Sequence, residues 1–410
     1  MDTGGDTAIV TTAFASGIGA VKESLAPYRS NDGTDSPDDD WSLPEQMRFT
    51  RSYELKNANN LPTPAMREAK SNRYLYCEAG TWAIKSELMK GHAVSIAYMA
   101  DTYQSETGET MDGDTYLHIS GSDPVIYAQY TYATKVPNHA VCVVGWDDTF
   151  PASAFGKYYE QPPADGAWIV KNSWGTGWGM DGYFYLSYYD RSISNVESYE
   201  FTDPEEAAGE ILQYDYMPVR ILSAPLFKEP VYAANVFRIH EDGALKYVSV
   251  MTADPDTEVT VAVYRLREDS ADPEDGTLLG SAVESFRYCG YHRVRLPDDL
   301  VLKQGERIGI VVLESVPLPG DLWYAIVNTS GPGEKAPAEV ARRHPKGDVA
   351  LSRFLVGVVN PGESFIKLPD EGWMDWKDAL SVVGNDGNRI YAAYDNLPIK
   401  GYMYPLEQVR

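Results

Sequence analysis

A histidine at the head of an apolar run, His139 in NHAVCVVGWDD, is followed 33 positions later by Asn172 in KNSWGTGWG, with Trp174 and Trp178 close behind. An imidazole that is to act as a base must be held in one tautomer, and a carboxamide oxygen accepting its N–H does this without adding charge. Asparagine in that role suits a thiol nucleophile. A cysteine thiol is acidic enough to pass its proton to the ring, so the resting pair is thiolate and imidazolium and needs no carboxylate behind it. Trp174 is placed to cover the pair against water. Gly175, Gly177, Gly179 and Gly182 permit a tight turn that brings both indoles to one rim.

Other residues with chemical potential read more plainly. Cys77, Cys142 and Cys289 are too few and too scattered for a disulfide framework or a four-ligand zinc site. Cys142 lies three residues past His139 in one strand, so its side chain belongs to the opposite face, and Cys77 and Cys289 read as buried structural thiols. His92, His118, His240, His292 and His344 show no metal-ligand spacing, and neither a metal nor a cofactor is expected. Gly177, Gly179 and Gly182 spell a dinucleotide fingerprint only formally, since a strand follows where a helix is required. Asp38–Asp40 and the ADPEDGT and GNDGNR clusters read as solvated turns rather than calcium sites.

The elements that must position His139 and Asn172 are legible in part. A helix is expected over Ala8–Ala15, stopped by Gly17 and Gly19, and another over 81–90 with Trp82, Ile84 or Lys85, Leu88 and Met89 at helical spacing, stopped by Gly91. The run AVSIAYM then alternates as a strand. After FTDPEEAAGE, an acidic linker, short alternating runs (YAANVFRIH, ALKYVSVMTA, TEVTVAVYRL, RIGIVVLES, DLWYAIVNTS, RIYAAYDN) are separated by Asp/Pro/Gly turns, which argues an antiparallel sandwich. The 410 residues are 43% apolar and carry 60 acidic against 35 basic side chains, a formal charge of −25. That field repels phosphate backbones and anionic lipid, and no apolar stretch is long enough for a membrane helix, so nucleic acid and membrane are not expected partners.

At the quoted blocks the sequence resembles the papain-like cysteine peptidases: NHAVCVVGWDD is similar to the block around that family's catalytic His, and KNSWGTGWGMDGYFYLSY to the block around its catalytic Asn. The insertion DDTFPASAFGKYYEQPPADGAWIV and the region from about Gln213 to Pro405 resemble bacterial and archaeal members with a C-terminal lectin-like sandwich. The resemblance implies an α+β fold: an incomplete two-lobed papain-like peptidase domain over 1–205, a linker over 206–212, and an all-β antiparallel, jelly-roll-like sandwich over 213–405. It also implies His139 and Asn172 as catalytic residues with Trp174 shielding them. Gly4 and Gly5 would lie along the substrate, Ala97, Asn138 and Ala140 would line the pocket for the second residue before the cut, and Trp178 would face the leaving side.

The family's nucleophile run, with its helix and the oxyanion-binding Gln, precedes the paired glycines, and no such run stands in this sequence. The nucleophilic Cys is therefore expected outside these residues, the chain alone is expected to be inactive, and a truncated gene model or fragment is expected rather than an evolved pseudoenzyme. The absent helix is expected to leave apolar surface bare around Ala8–Ala15. By resemblance the substrates are proteins or peptides and the setting is secreted or cell-surface, with a surface glycan as a second partner through the sandwich. Trp323, Trp373 and Trp376 could stack on sugars but read first as core. The competing function is a non-catalytic adhesion or glycan-binding protein on a decayed peptidase lobe.

Overall fold

The structure is a computed structural model. It describes residues 7–26, 47, 50–68, 70–71, 73–105, 110–156, 161–203, 206–215, 220–223, 228–316, 322–324, 326–329, 359–383 and 395–408. Gly4, Gly5, the Asp38–Asp40 run, the GNDGNR cluster and most of RIYAAYDN lie outside the described residues. The chain forms two compact units, one of residues 26–43 and 59–200, the other of residues 1–25, 44–58 and 201–410.

In the first unit the strands run in the order Ser194–Thr202, Val94–Tyr98, His139–Asp147, Ala167–Lys171, Tyr183–Ser187, Ile126–Gln129 and Leu117–Ser120. All neighbours are antiparallel except Tyr183–Ser187 on Ile126–Gln129. Val94, Ile96 and Tyr98 alternate inward and stand opposite Val143, Val141 and His139, which places His139 at the end of an apolar stripe. A bulge at Val144 shifts the register between the His139–Asp147 and Ala167–Lys171 strands, so that Ile169 faces Gly145 and Val170 faces Val143. Helix Glu78–Met89 packs on the Val94–Tyr98 and His139–Asp147 strands. Its buried face is Gly80, Thr81, Ala83, Ile84, Lys85 and Glu87, while Trp82 and Met89 are exposed. Lys85 is sheltered because Asp148 pairs with it and the Trp82, Trp146 and Tyr188 rings surround it, which puts a cation where the apolar spacing suggests a hydrophobe.

The second unit is a two-sheet antiparallel sandwich. One sheet runs Gly276–Phe286, Thr257–Leu266, Arg307–Val316, Tyr232–Arg238, Ser364–Lys367, Trp373–Asp375; the facing strands include Glu210–Leu212, Lys400–Tyr404, Gly243–Thr252 and Cys289–Leu302. Leu245, Val248, Val250, Val294 and Leu296 meet Val259, Val261, Val263, Ile308 and Ile310 in the core between them. Strands Gly276–Phe286 and Cys289–Leu302 are absent from the sequence reading, the first because its residues are mostly exposed, the second because Pro297, Asp298 and Asp299 interrupt its pattern. Part of the acidic stretch read as a linker is the strand Glu210–Leu212, paired with residues 401–403.

Helix Thr7–Ala15 belongs to this second unit: Thr11, Thr12 and Ala15 are buried and Phe14 meets Phe201 edge-on at 5.3 Å, and among its described side chains Val10 is exposed. Trp376 is buried, its Nε1 donating to Asp395 O, as a core residue would be. Trp373 is half-buried and donates to Glu274 Oε2, while the Trp323 side chain lies outside the described residues. In the ADPEDGT turn, Asp275 is taken by Arg267 and Glu274 by Lys367, so protein cations already occupy these carboxylates.

Candidate active site

His139 and Asn172 come from adjacent antiparallel strands, and the register explains their meeting. Lys171 stands opposite Cys142, so Asn172, one residue on, falls opposite Val141 and on the face that carries His139. His139 Nε2 donates to Asn172 Oδ1 at 2.9 Å. The same oxygen accepts the Ser173 backbone N–H at 2.8 Å, which fixes the orientation of the amide and assigns the proton to Nε2. Nδ1 is left as the basic atom of the ring. Asn172 is buried, its own N–H donates to Gly182 O at 2.9 Å, and its Nδ2 has no partner among the described residues.

Trp174 stacks over the imidazole with centroids 4.8 Å apart and planes 24° from parallel. Trp178 stands edge-on to Trp174 at 5.0 Å and 85°, and Tyr98 lies 6.0 Å from the imidazole on the neighbouring strand. Burial pushes the His139 pKa down, and the hydrogen bond with Asn172 pushes back against it. The uncharged ring is therefore favoured until an anion such as a thiolate stands beside it.

Ala97 and Ala140 are opposite one another across the Val94–Tyr98 and His139–Asp147 strands, with Ala140 exposed. Asn138 is committed elsewhere: Ala100 N donates to its Oδ1 at 2.7 Å, and its Nδ2 donates to Ala100 O at 3.2 Å. Its side chain thus works as a backbone clamp. Gly4 and Gly5 lie outside the described residues. All three cysteines are unbridged and half-buried, so Cys77 and Cys289 are less buried than the sequence suggested. Burial raises the pKa of the Cys142 thiol against the pull of Lys171, so it is held in the protonated form. Sequence reading missed Tyr98 and Asp112. Asp112 accepts the Trp178 indole N–H at 3.0 Å across 66 residues, a partnership with no local signature.

Residues 3–202 match the family model for the papain family cysteine protease, and residues 211–385 match the one for the lectin like domain. Among solved structures, the chain is similar to the clostridial cysteine protease Cwp84 after propeptide cleavage: TM-score 0.67, 18% identity, 98% of this chain and 83% of that one. A second Cwp84 structure, of the cysteine protease and lectin-like domains of this surface layer associated protein of Clostridium difficile, gives TM-score 0.62, 20% identity, 96% of this chain and 72% of that one. Among curated proteins, the chain is 37% identical over 78 residues to dipeptidyl aminopeptidase 1 of Plasmodium falciparum, covering 18% of this chain and 10% of that protein. It is 34% identical over 79 residues to an uncharacterized peptidase C1-like protein of Acanthamoeba polyphaga mimivirus, covering 18% of this chain and 21% of that one. The chain thus spans a tenth to a fifth of the length of these curated relatives. Its fold is α+β, papain-like and then an antiparallel lectin-like sandwich, and residues 3–202 are the part of the chain that matches the papain family cysteine protease model.

Proposed function

We propose that the chain supplies the His–Asn half of a papain-type peptidase site, with peptide bonds of proteins as its substrate. The observation that carries this reading is the 2.9 Å hydrogen bond from His139 Nε2 to Asn172 Oδ1 beneath the Trp174 ring, within a papain-family fold. In this chemistry a thiolate attacks the peptide carbonyl, and His139 Nδ1 takes the thiol proton and returns it to the leaving amine. Asn172 keeps the ring from turning, and Trp174 keeps water from competing for the amide. Ala97 and Ala140 form a shallow wall beside the site, Trp178 takes the leaving side, and Gly4 and Gly5 would run along the substrate backbone.

Cys142 does not serve as nucleophile, since it projects from the other face of the His139 strand. The nucleophile is assigned to a cysteine beyond these 410 residues, and the chain by itself is assigned no peptidase activity, because the covalent step and the oxyanion donors are lacking. The resemblance to a surface layer associated protease supports a secreted or cell-surface setting, and the lectin-like domain supports a glycan as a second partner. The division into 1–205, 206–212 and 213–405 is kept as the proposed order of family regions.

The test is labelling by a thiol-directed peptidase inhibitor. The chain alone should not be labelled, whereas a chain joined to its native upstream sequence should be, and the labelling should vanish in His139→Ala. Equal labelling of the His139→Ala variant, or none in the extended chain, would sink the reading and leave the non-catalytic platform.

A further inference from the structure

We infer that Asp112 is a positioning residue for the His139–Asn172 pair, acting through the two indoles that cover it. The backbone of the turn bearing those indoles is tied on its later side, by Gly182 N to Trp178 O and Met180 N to Tyr183 O, both at 2.8 Å, and is more open between Trp174 and Trp178. Gly175 and Gly177 are exposed with open space where a Cβ would sit, and the backbone bond from Trp178 N to Gly175 O is stretched to 3.4 Å. Tyr127 and Phe184 lie against Trp178 at 5.3 and 5.5 Å, but ring packing leaves an indole able to pivot in its slot. The 3.0 Å bond from Trp178 Nε1 to Asp112 Oδ1 stops that pivot and so preserves the edge-on contact that keeps Trp174 flat over the imidazole.

Asp112 is itself well anchored. It stands opposite Thr102 in the hairpin Thr102–Gln104/Thr110–Asp112, and the next residue, Gly113, donates its N–H to Asp101 O at 2.7 Å. The approach is so close that a Cβ on Gly113 would fall 2.3 Å from Asp101 Oδ1. Asp101 Oδ2 accepts the N–H groups of Thr115, Tyr116 and Leu117 at 3.0, 2.7 and 3.0 Å. One residue earlier, Ala100 is gripped on both sides by the Asn138 amide, and Asn138 immediately precedes His139. Two arms therefore leave the Ala100–Asp101 pair. One reaches the backbone of His139 through Asn138; the other reaches the face of its ring through Gly113, Asp112, Trp178 and Trp174. The circuit is closed, so the imidazole and its cover are referenced to one point of the backbone.

The bearing of this circuit on peptide cleavage rests on the papain-type reading, but its test does not. Loss of a nearby negative charge lowers an imidazole pKa, whereas a loosened cover hydrates the ring and raises it, so the two effects of changing Asp112 have opposite signs. NMR titration of His139 in the full 410-residue chain separates them. Asp112→Leu should raise the His139 pKa and expose the Trp178 indole N–H to faster solvent exchange. Asp112→Asn, which keeps the acceptor oxygen, should retain slow exchange and leave the His139 pKa at or below that of the wild type. Trp178→Phe removes the donor instead and should reproduce the leucine result, which covers the case in which Asp112→Leu does not fold. A His139 pKa unchanged or lowered in the folded Leu and Phe variants overturns the assignment, as does an asparagine variant that behaves like the leucine one. Failure of thiol labelling in the extended chain would count against the peptidase reading alone.

Discussion

Nε2 of His139 spends its proton on Asn172 Oδ1, and this one bond opposes the effect of burial on the ring. Removing it as Asn172→Ala should therefore lower the His139 pKa further, and replacing it with a carboxylate as Asn172→Asp should raise it; NMR titration of the two variants checks both signs. A second histidine has a different task. His292 is buried, lies parallel to Phe286 at 4.1 Å and 8°, and hydrogen-bonds Tyr288 O, and burial lowers its pKa from 6.5 to about 4. The unfolded chain takes up this proton near pH 6.5 and the folded one only near pH 4, so the fold loses stability as pH falls through that window. The loss is on the order of 3 kcal/mol when complete. Asp215, also buried, is raised to about 6 and works in the opposite direction, so the comparison must be with a variant. His292→Gln should flatten the fall in denaturant midpoint between pH 6.5 and pH 4 relative to wild type. The pairing of His139 with Asn172 under Trp174 was legible because residue type, spacing and flanking tryptophans all lie within one stretch of chain. The bond from Trp178 to Asp112 was not, because nothing near Asp112 in sequence announces an indole 66 residues away.

At the scale of elements, alternation made the Val94–Tyr98 strand readable and an apolar run made the His139–Asp147 strand readable, and their register then delivers the pairing of Tyr98 with His139. The bulge at Val144 was not readable, since an unpaired residue in an apolar run looks like any other. Helix Glu78–Met89 was recognised by spacing, and of the spaced positions Ile84 and Lys85 go inward, Lys85 because Asp148 and three aromatic rings receive it, while Trp82 and Met89 go outward. Met89→Lys should then leave the thermal midpoint nearly unchanged, whereas Ile84→Ala should cost about 2–5 kcal/mol in denaturant unfolding. The hairpin that carries Asp112 has its own weak point at Gly113, where the Cβ of Gly113→Ala would meet both Oδ1 and Cγ of Asp101, at 2.3 and 2.6 Å. That overpacking should cost about 1–3 kcal/mol, measured the same way.

At the scale of the whole molecule, the family regions follow one another along the sequence, but the compact units do not. Residues 7–25 and 50–58, which fall inside the papain-family match, pack with the sandwich strands. The joint is ionic at its centre. Arg293 Nη1 meets Glu54 Oε1 at 2.6 Å with both side chains buried, the guanidinium lies 3.6 Å over the Tyr402 ring, and the other oxygen of Glu54 takes Arg51 at 3.0 Å and the Ala208 N–H at 3.2 Å. Breaking one side of such a pair leaves an uncompensated buried charge, so Glu54→Gln should destabilise this unit by about 3–5 kcal/mol while sparing the His139 titration. Hydrogen exchange resolved by segment distinguishes the two.

The Glu54–Arg293 pair also sets a rule for dissecting the molecule. A scissor cut at the seam between the two family regions would strand a guanidinium in the interior of the excised sandwich, with its counterion left on the discarded piece. An isolated carboxyl-terminal fragment is therefore a poor instrument for sugar-binding work. Limited proteolysis should instead release fragments that keep the early segment around Glu54 attached to the late strands.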